Sequence, residues 1–357
     1  MTGVVDEGAA KRRDQLEALS ADLERAVSEL ASEDAWKDAL RMAAAMRSHS
    51  FTNTLLIAAQ HAAAYEAGTV PSPTPRAVAG YQQWRALGRQ VARGQHGYKI
   101  FAPVTARMAS RTPNDTASWR RLGKGEEPKP GETVRRKMIG TRIAHVWDVT
   151  QTDGPPLGEP SRPEILAGQA PDGLVEALEV EVLYAGFAVG YANPSDDPLL
   201  RTALGYTDLL ARSVTVRSDV DPAQQVKTLA HELGHVLMHA TDPEVVPQLL
   251  HRGRLEVEAE SFAFMVATVH GMDTSSYSIP YVTGWADGAD AQAKAAQVRL
   301  AGETVRRHAT AVLEAIESAP THAHARPPTV GAGLDTGMST TGPTPAAGTA
   351  DVAFPQM

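Results

Sequence analysis

The chain has no cysteine in 357 residues. That excludes disulfides and thiolate metal sites, so any transition metal must be held by imidazole and carboxylate. No basic n-region followed by an apolar stretch opens the sequence, and no apolar run approaches the roughly 18–20 residues that a spanning helix needs. These absences set the expectation of a soluble, cytoplasmic protein with no membrane partner. A hydrophobic content of 43% is ample for packed cores, and the length suggests two domains.

The net charge of -8 hides an asymmetry. Residues 76–150 hold 15 Lys/Arg against 5 Asp/Glu, whereas residues 151–318 hold 11 against 24. Such a division suggests that one part meets a polyanion and the other does not. In the basic part the cations interleave with Tyr81, Trp84, Tyr98, Phe101, Trp119 and Trp147. Cations beside aromatics are what a protein uses to track a phosphate backbone and stack unpaired bases. Arg85, Arg89, Arg93, Tyr98 and Lys99 are the candidate DNA-binding residues.

Helical spacing over 11–47 predicts an amphipathic helix through Leu16, Leu19, Leu23, Val27 and Leu30, a second over 34–47 and a third over 54–66, then a Pro-rich turn and a short helix over 77–87 capped by Gly88. A hairpin is expected from 90–93 and 98–104, an exposed loop over 109–133 and a strand over 143–149. Dense Pro and Gly over 151–173 read as a linker between a domain at 1–150 and one at 174–318. The second domain is expected to hold a helix over 174–178 and strands at 180–184, about 204–206 and 213–217. Asp221 then caps a helix, with Pro222 at its first position and Gln224 placed for a capping box. Helices over 254–270 and 289–318 follow. The Pro/Gly/Thr/Ala-rich 319–357 reads as a disordered tail.

The helix after Asp221 carries His231-Glu232-Leu233-Gly234-His235. Two histidines one turn apart leave the same face and can share one tetrahedral Zn2+. Glu232, next to the first His, stands beside such an ion and not on it, as a general base for hydrolysis. A third ligand is expected on the helix containing Leu255-Glu-Val-Glu-Ala-Glu260. Glu256 and Glu260 share a face there, and Glu258 lies on the other flank. Glu256 is assigned as the ligand and Glu260 as the support that holds a ligand His through its second ring nitrogen, with the exchange left open. His239 is a competing ligand or a helix-end residue suited to the dipole. Tyr206 or Tyr277 could polarise a carbonyl.

Four N-terminal segments resemble the ArdC-type antirestriction proteins. They are Ser50-Phe-Thr-Asn-Thr-Leu-Leu-Ile57, the run Ala77–Gly94, Gly97-Tyr-Lys-Ile-Phe-Ala-Pro103 and Ala144-His-Val-Trp-Asp-Val-Thr-Gln151. The stretches His231–His239 and Glu256–Ala263 resemble both ArdC and the ImmA/IrrE-type metallopeptidases. The resemblance implies an α+β protein. Its helical and β-hairpin N-terminal domain would bind single-stranded DNA, and its C-terminal domain would be a gluzincin-like metallopeptidase with an unknown peptide or protein substrate. The implied role is antirestriction on a mobile element. Two other readings stay open: an ImmA/IrrE-like protease that cleaves a repressor, and a DNA-binding module whose metal is only structural.

Overall fold

A computed structural model describes residues 3–30, 32–157, 168–240, 252–275, 277, 279 and 291–319. The architecture is α+β, and the chain divides into two compact units. One comprises Met1–Glu29 with Thr52–Gly158, the other Leu30–Phe51 with Glu159–Met357. Residues 30–51 pack with the C-terminal unit, and the chain through 158 stays with the N-terminal one. The expected tail from 320 onward and the linker stretch 158–167 lie outside the described residues.

In the first unit, helices α1 (Gly3–Ser28) and α3 (Phe51–Glu66) accompany a sheet of order β1-β5-β3-β4. Its strands are β1 (Val78–Gly80), β3 (Tyr98–Ser110), β4 (Arg120–Arg121) and β5 (Thr133–Asp148), all antiparallel. Side chains of α3 complete the sheet. The Asn53 amide donates to the Phe101 carbonyl at 2.9 Å and accepts from its N–H at 3.0 Å. Gln60 does the same for Lys99, at 2.9 and 2.8 Å. Seven residues is about two helical turns, so both amides leave one face of α3 and meet alternate residues of β3. Backbone groups that would need a strand partner are satisfied by a helix instead.

The expected 90–93/98–104 hairpin does not form. Strand β2 (Gln90–Val91) pairs with β6 (Thr152–Asp153), while β3 pairs with β5. The helix α4 is only Tyr81–Ala86, because residues 78–80 extend to pair with β5. The expected loop at 109–133 contains β4 and a 3-10 turn at Thr116–Ser118, which together connect the two long strands.

In the second unit, α2 (Glu33–Ala45) starts at Ser32, whose side chain accepts from the Ala35 N–H at 3.1 Å. Its buried face carries Trp36 and Leu40 against α7 (Arg252–Val269), and the Trp36 indole donates to Ser261 at 2.9 Å. Helix α8 (Ala291–Ser318) packs on the same helices. On the far side of α7 lies α6 (Pro222–His239), followed by a sheet of order β7-β9-β8. Strand β7 (Ala188–Ala192) runs parallel to β9 (Ser213–Arg217), and β8 (Gly205–Asp208) antiparallel to it. The expected strand at 180–184 is part of α5 (Leu174–Tyr184), which buries Leu174, Leu178 and Val182.

Candidate metal centre and basic surface

Helix α6 begins where the sequence places it. Asp221 accepts from the Gln224 N–H at 2.9 Å and Pro222 occupies the first position. The reciprocal half of the capping box is missing, because the Gln224 amide turns to the Thr228 hydroxyl at 3.1 Å. The motif's glycine sets the crossing with α7. A Cβ on Gly234 would lie 3.1 Å from the Ala259 Cα and 3.4 Å from the Phe262 Cβ. Any side chain there would crowd the α7 backbone, and the close approach that glycine permits brings the acidic residues of α7 over the histidines of α6.

Three side chains then converge. His231 Nε2 lies 3.1 Å from His235 Nε2 and 3.3 Å from Glu256 Oε2, and His235 Nε2 lies 3.7 Å from Glu256 Oε1. A tetrahedral zinc with ligand bonds of about 2.0–2.1 Å has edges of about 3.3 Å, so these separations fit one ion. The donor chemistry agrees. His231 Nδ1 is 3.0 Å from Glu260 Oε2, and a proton on that nitrogen leaves the Nε2 lone pair facing the centre. Glu260 is also met by Lys227 Nζ at 3.3 Å, which lies over the Tyr277 ring at 4.1 Å.

A second series of hydrogen bonds fixes His235. Its Nδ1 lies 3.1 Å from His239 Nδ1, and His239 Nε2 lies 3.0 Å from Glu258 Oε2. Arg254 donates to the other Glu258 oxygen at 2.8 Å. With neutral rings, both bonds are satisfied when His235 Nδ1–H donates to His239 and His239 Nε2–H donates to Glu258. His235 Nε2 is then a lone pair aimed at the centre. Glu258 is 2% and His239 5% exposed, so His239, although it ends α6, is buried against an acid of α7 and does not face solvent. A histidine one turn beyond the motif and an acid between the two facing glutamates were the available signal, but the bond crosses between helices.

Glu232 lies between this set and the sheet, interacting with the charges of His231, His235 and Glu256. The Thr207 hydroxyl of β8 donates to its Oε2 at 2.7 Å. A Cβ on Gly205 would lie 3.5 Å from the Glu232 Cγ and 2.5 Å from the Thr228 methyl, so β8 needs a glycine there. Burial raises the Glu232 pKa, with the two histidines opposing it. Burial also disfavours the charged form of His231, yet the carboxylates of Glu256 and Glu260 outweigh it and push its pKa up to about 10. Glu256 is desolvated too, but its hydrogen bonds with His231 and His235 hold it well below the usual carboxylate range. A mutual grip of this kind stores a proton among groups built to receive a cation. Tyr206 donates to Asp197 at 2.8 Å and so is committed elsewhere.

The candidate DNA-binding residues separate into two groups. Arg85, Arg93 and Lys99 are exposed. Arg89 and Tyr98 are not, which corrects the expectation for both. Arg89 is 8% exposed and donates to the Thr152 hydroxyl and carbonyl, each at 2.8 Å, and to the Gly154 and Pro155 carbonyls. Its fork is fully used in closing β2 onto β6. Tyr98 is 4% exposed, with its hydroxyl 2.8 Å from His61 Nδ1. Trp84 is also core, donating to the Trp147 carbonyl at 2.9 Å. Of the six aromatics in the basic part, Tyr81 is 41% exposed and Phe101 and Trp147 are half-buried, and the Trp147 ring meets that of Tyr81 edge-on at 6.3 Å.

Residues 13–147 match the family model for the N-terminal domain of anti-restriction factor ArdC. Residues 178–275 match the IrrE N-terminal-like domain of the M78 peptidase family. Among curated proteins, none matches the chain. Two crystal structures of the antirestriction ArdC protein from the R388 plasmid are similar to it. The metal-free one is 18% identical with a TM-score of 0.43, covering 74% of this chain and 84% of that one. The Mn(II)-bound one is 17% identical with a TM-score of 0.40, covering 75% and 88%. By its two domain matches, this chain joins an ArdC-type N-terminal domain to an IrrE-like, metallopeptidase-like domain.

Proposed function

We propose that the chain is a single-stranded-DNA-binding, zinc-dependent peptidase that serves antirestriction. The observation that carries the peptidase reading is the convergence of His231, His235 and Glu256, with ligand atoms all within 4.8 Å of one another. Zinc held by these three would supply Lewis acidity toward a peptide carbonyl and toward water. Glu232 would accept a proton from the attacking water and pass it to the leaving amine. Thr207 fixes one Glu232 oxygen and so orients the other. Glu260, and His239 with Glu258, hold the ligand imidazoles in the tautomers that face the ion.

The DNA reading rests on the exposed Tyr81, Arg85, Arg93 and Lys99 with the half-buried Trp147, which together offer ring surface for bases and cations for phosphate. The family match to an anti-restriction factor supports it. The test is a salt titration of the full chain with single-stranded DNA. Arg85→Glu with Arg93→Glu should weaken binding and reduce the log–log salt slope by about 0.7 for each phosphate no longer neutralised. The IrrE-like match favours a second reading, a regulatory protease that cleaves a repressor. Absence of any DNA binding at low salt, with Glu232-dependent cleavage of a protein, would establish that one.

A further inference from the structure

The β3/β5 ribbon has two ends of different chemistry. Its inner end, where β1 pairs with Val146–Asp148, is packed and carries Lys99 near the aromatic pair Tyr81 and Trp147. At its outer end, every residue from 133 to 142 of β5 is exposed. That stretch reads Thr-Val-Arg-Arg-Lys-Met-Ile-Gly-Thr-Arg, with four cations and no acid. Lys99 and Arg107 are eight residues apart on β3, roughly 26 Å at about 3.3 Å per residue. The outer cations therefore form a separate surface.

That surface is held ready for an anion. Arg107 and Arg136 stand directly opposite each other across the ribbon, a like-charge pairing that costs stability unless something screens it. Among the described residues, no ion pair involves Arg107, Arg136, Lys137 or Arg142. Nearby acids are used elsewhere, since Glu126 and Glu132 both pair with Arg120 at 2.5 and 2.8 Å. Next to the cations, the register shifts between Val104 and Thr105, and Ile139 bulges from β5. The bulge leaves Met138 59% and Ile139 43% exposed.

We propose that this outer ribbon binds duplex DNA, so that the N-terminal unit engages a single-strand/duplex junction. Single strands are held by stacking, but the only aromatic between residues 102 and 142 is Trp119. It is 9% exposed, and the Arg135 guanidinium covers it at 3.7 Å. A two-stranded ribbon, by contrast, fits a duplex groove, with cations on the flanking phosphates and apolar side chains against base edges such as the thymine methyl. The proposal rests on the DNA reading above for its single-strand half only.

The test is fluorescence anisotropy on the full chain with a labelled single strand, a blunt duplex and a duplex with a single-stranded tail. Wild type should bind the tailed duplex most tightly. The triple variant Arg107→Glu/Arg136→Glu/Lys137→Glu should weaken both duplex forms by about tenfold or more and flatten their salt slope by about 0.9 for each phosphate no longer neutralised. Its single-strand affinity should stay within about twofold, because stacking at the inner end is untouched. Arg85→Glu/Arg93→Glu should give the opposite pattern. Met138→Ser/Ile139→Ser should weaken duplex binding with the slope unchanged. If wild type binds single strands and no duplex, or the triple variant binds all three forms as wild type does, the proposal is overturned. The cations would then be a charged edge that keeps the strand from pairing with another chain. Binding to no form at all would overturn the single-strand reading as well.

Discussion

His239 Nε2 lies 3.0 Å from Glu258 Oε2, and this hydrogen bond between two buried side chains favours the His235 tautomer with its proton on Nδ1 and its Nε2 lone pair open to the metal centre. Remove it and His235 is free to place its proton on Nε2, where an ion should bind. His239→Leu should therefore weaken zinc affinity by about 10–100-fold, the usual cost of removing a group that orients a metal ligand. His239→Asn, which keeps an acceptor toward His235, should recover much of that affinity. Chelator competition measures both. Equal affinity in wild type and His239→Leu, with the fold intact by circular dichroism, would show the hydrogen bond to be irrelevant to the metal.

The crossing at Gly234 should be sensitive to bulk. Gly234→Val puts a branched side chain where even a Cβ meets the Ala259 backbone at 3.1 Å. Overpacking of this kind costs about 1–3 kcal/mol. Thermal unfolding should report that destabilisation, and metal affinity should fall with it, because α7 carries Glu256. A variant as stable as wild type would mean that the helices separate without strain.

Metal uptake should expel a proton. Without an ion, the carboxylates beside His231 keep that imidazole protonated up to a pH of about 10, and the ion needs the same Nε2 lone pair. Raising the pH from 6 toward 10 should therefore strengthen apparent affinity, by about tenfold per unit for one proton released. Calorimetry in buffers of different ionisation enthalpy counts the proton directly. A pH-independent affinity across that window would contradict the arrangement.

Arg89 and Tyr98 should behave as structural residues. Arg89→Ala leaves the buried Thr152 hydroxyl and carbonyl without their donor, at about 1–3 kcal/mol for each group left unsatisfied. The melting temperature should drop for this variant and hold for Arg93→Ala. Unchanged stability in Arg89→Ala would return that residue to the candidate DNA surface.

Much of the candidate centre was legible because its logic is local. A four-residue spacing fixes a helical face, so His231 with His235, and Glu256 with Glu260, could be paired without any tertiary information. His239 and Glu258 were not legible in the same way, because their hydrogen bond spans two helices whose rotation is set by Gly234 meeting Ala259. Nonlocal pairing also explains the misread strands. Gln90–Val91 looked like half of a local hairpin, but its partner is Thr152–Asp153, some sixty residues on. Residues 180–184, with two valines, looked extended, yet Val182 is buried on helix α5, which packs against α6. Helix α2 could not be assigned to its unit from the sequence, since Trp36 finds Ser261 across 225 residues. A fragment ending near 155 would strip Trp36 and Leu40 of their cover, which is why the DNA measurements use the full chain.

Metal content after dialysis tests the central claim most directly, compared for wild type, Glu232→Gln and His235→Ala. Wild type and Glu232→Gln should each retain about one zinc per chain, and only the wild type should hydrolyse peptide. His235→Ala should lose the metal, because His231 and Glu256 alone are too few to hold it against water. One zinc per chain in a folded His235→Ala variant would contradict the site.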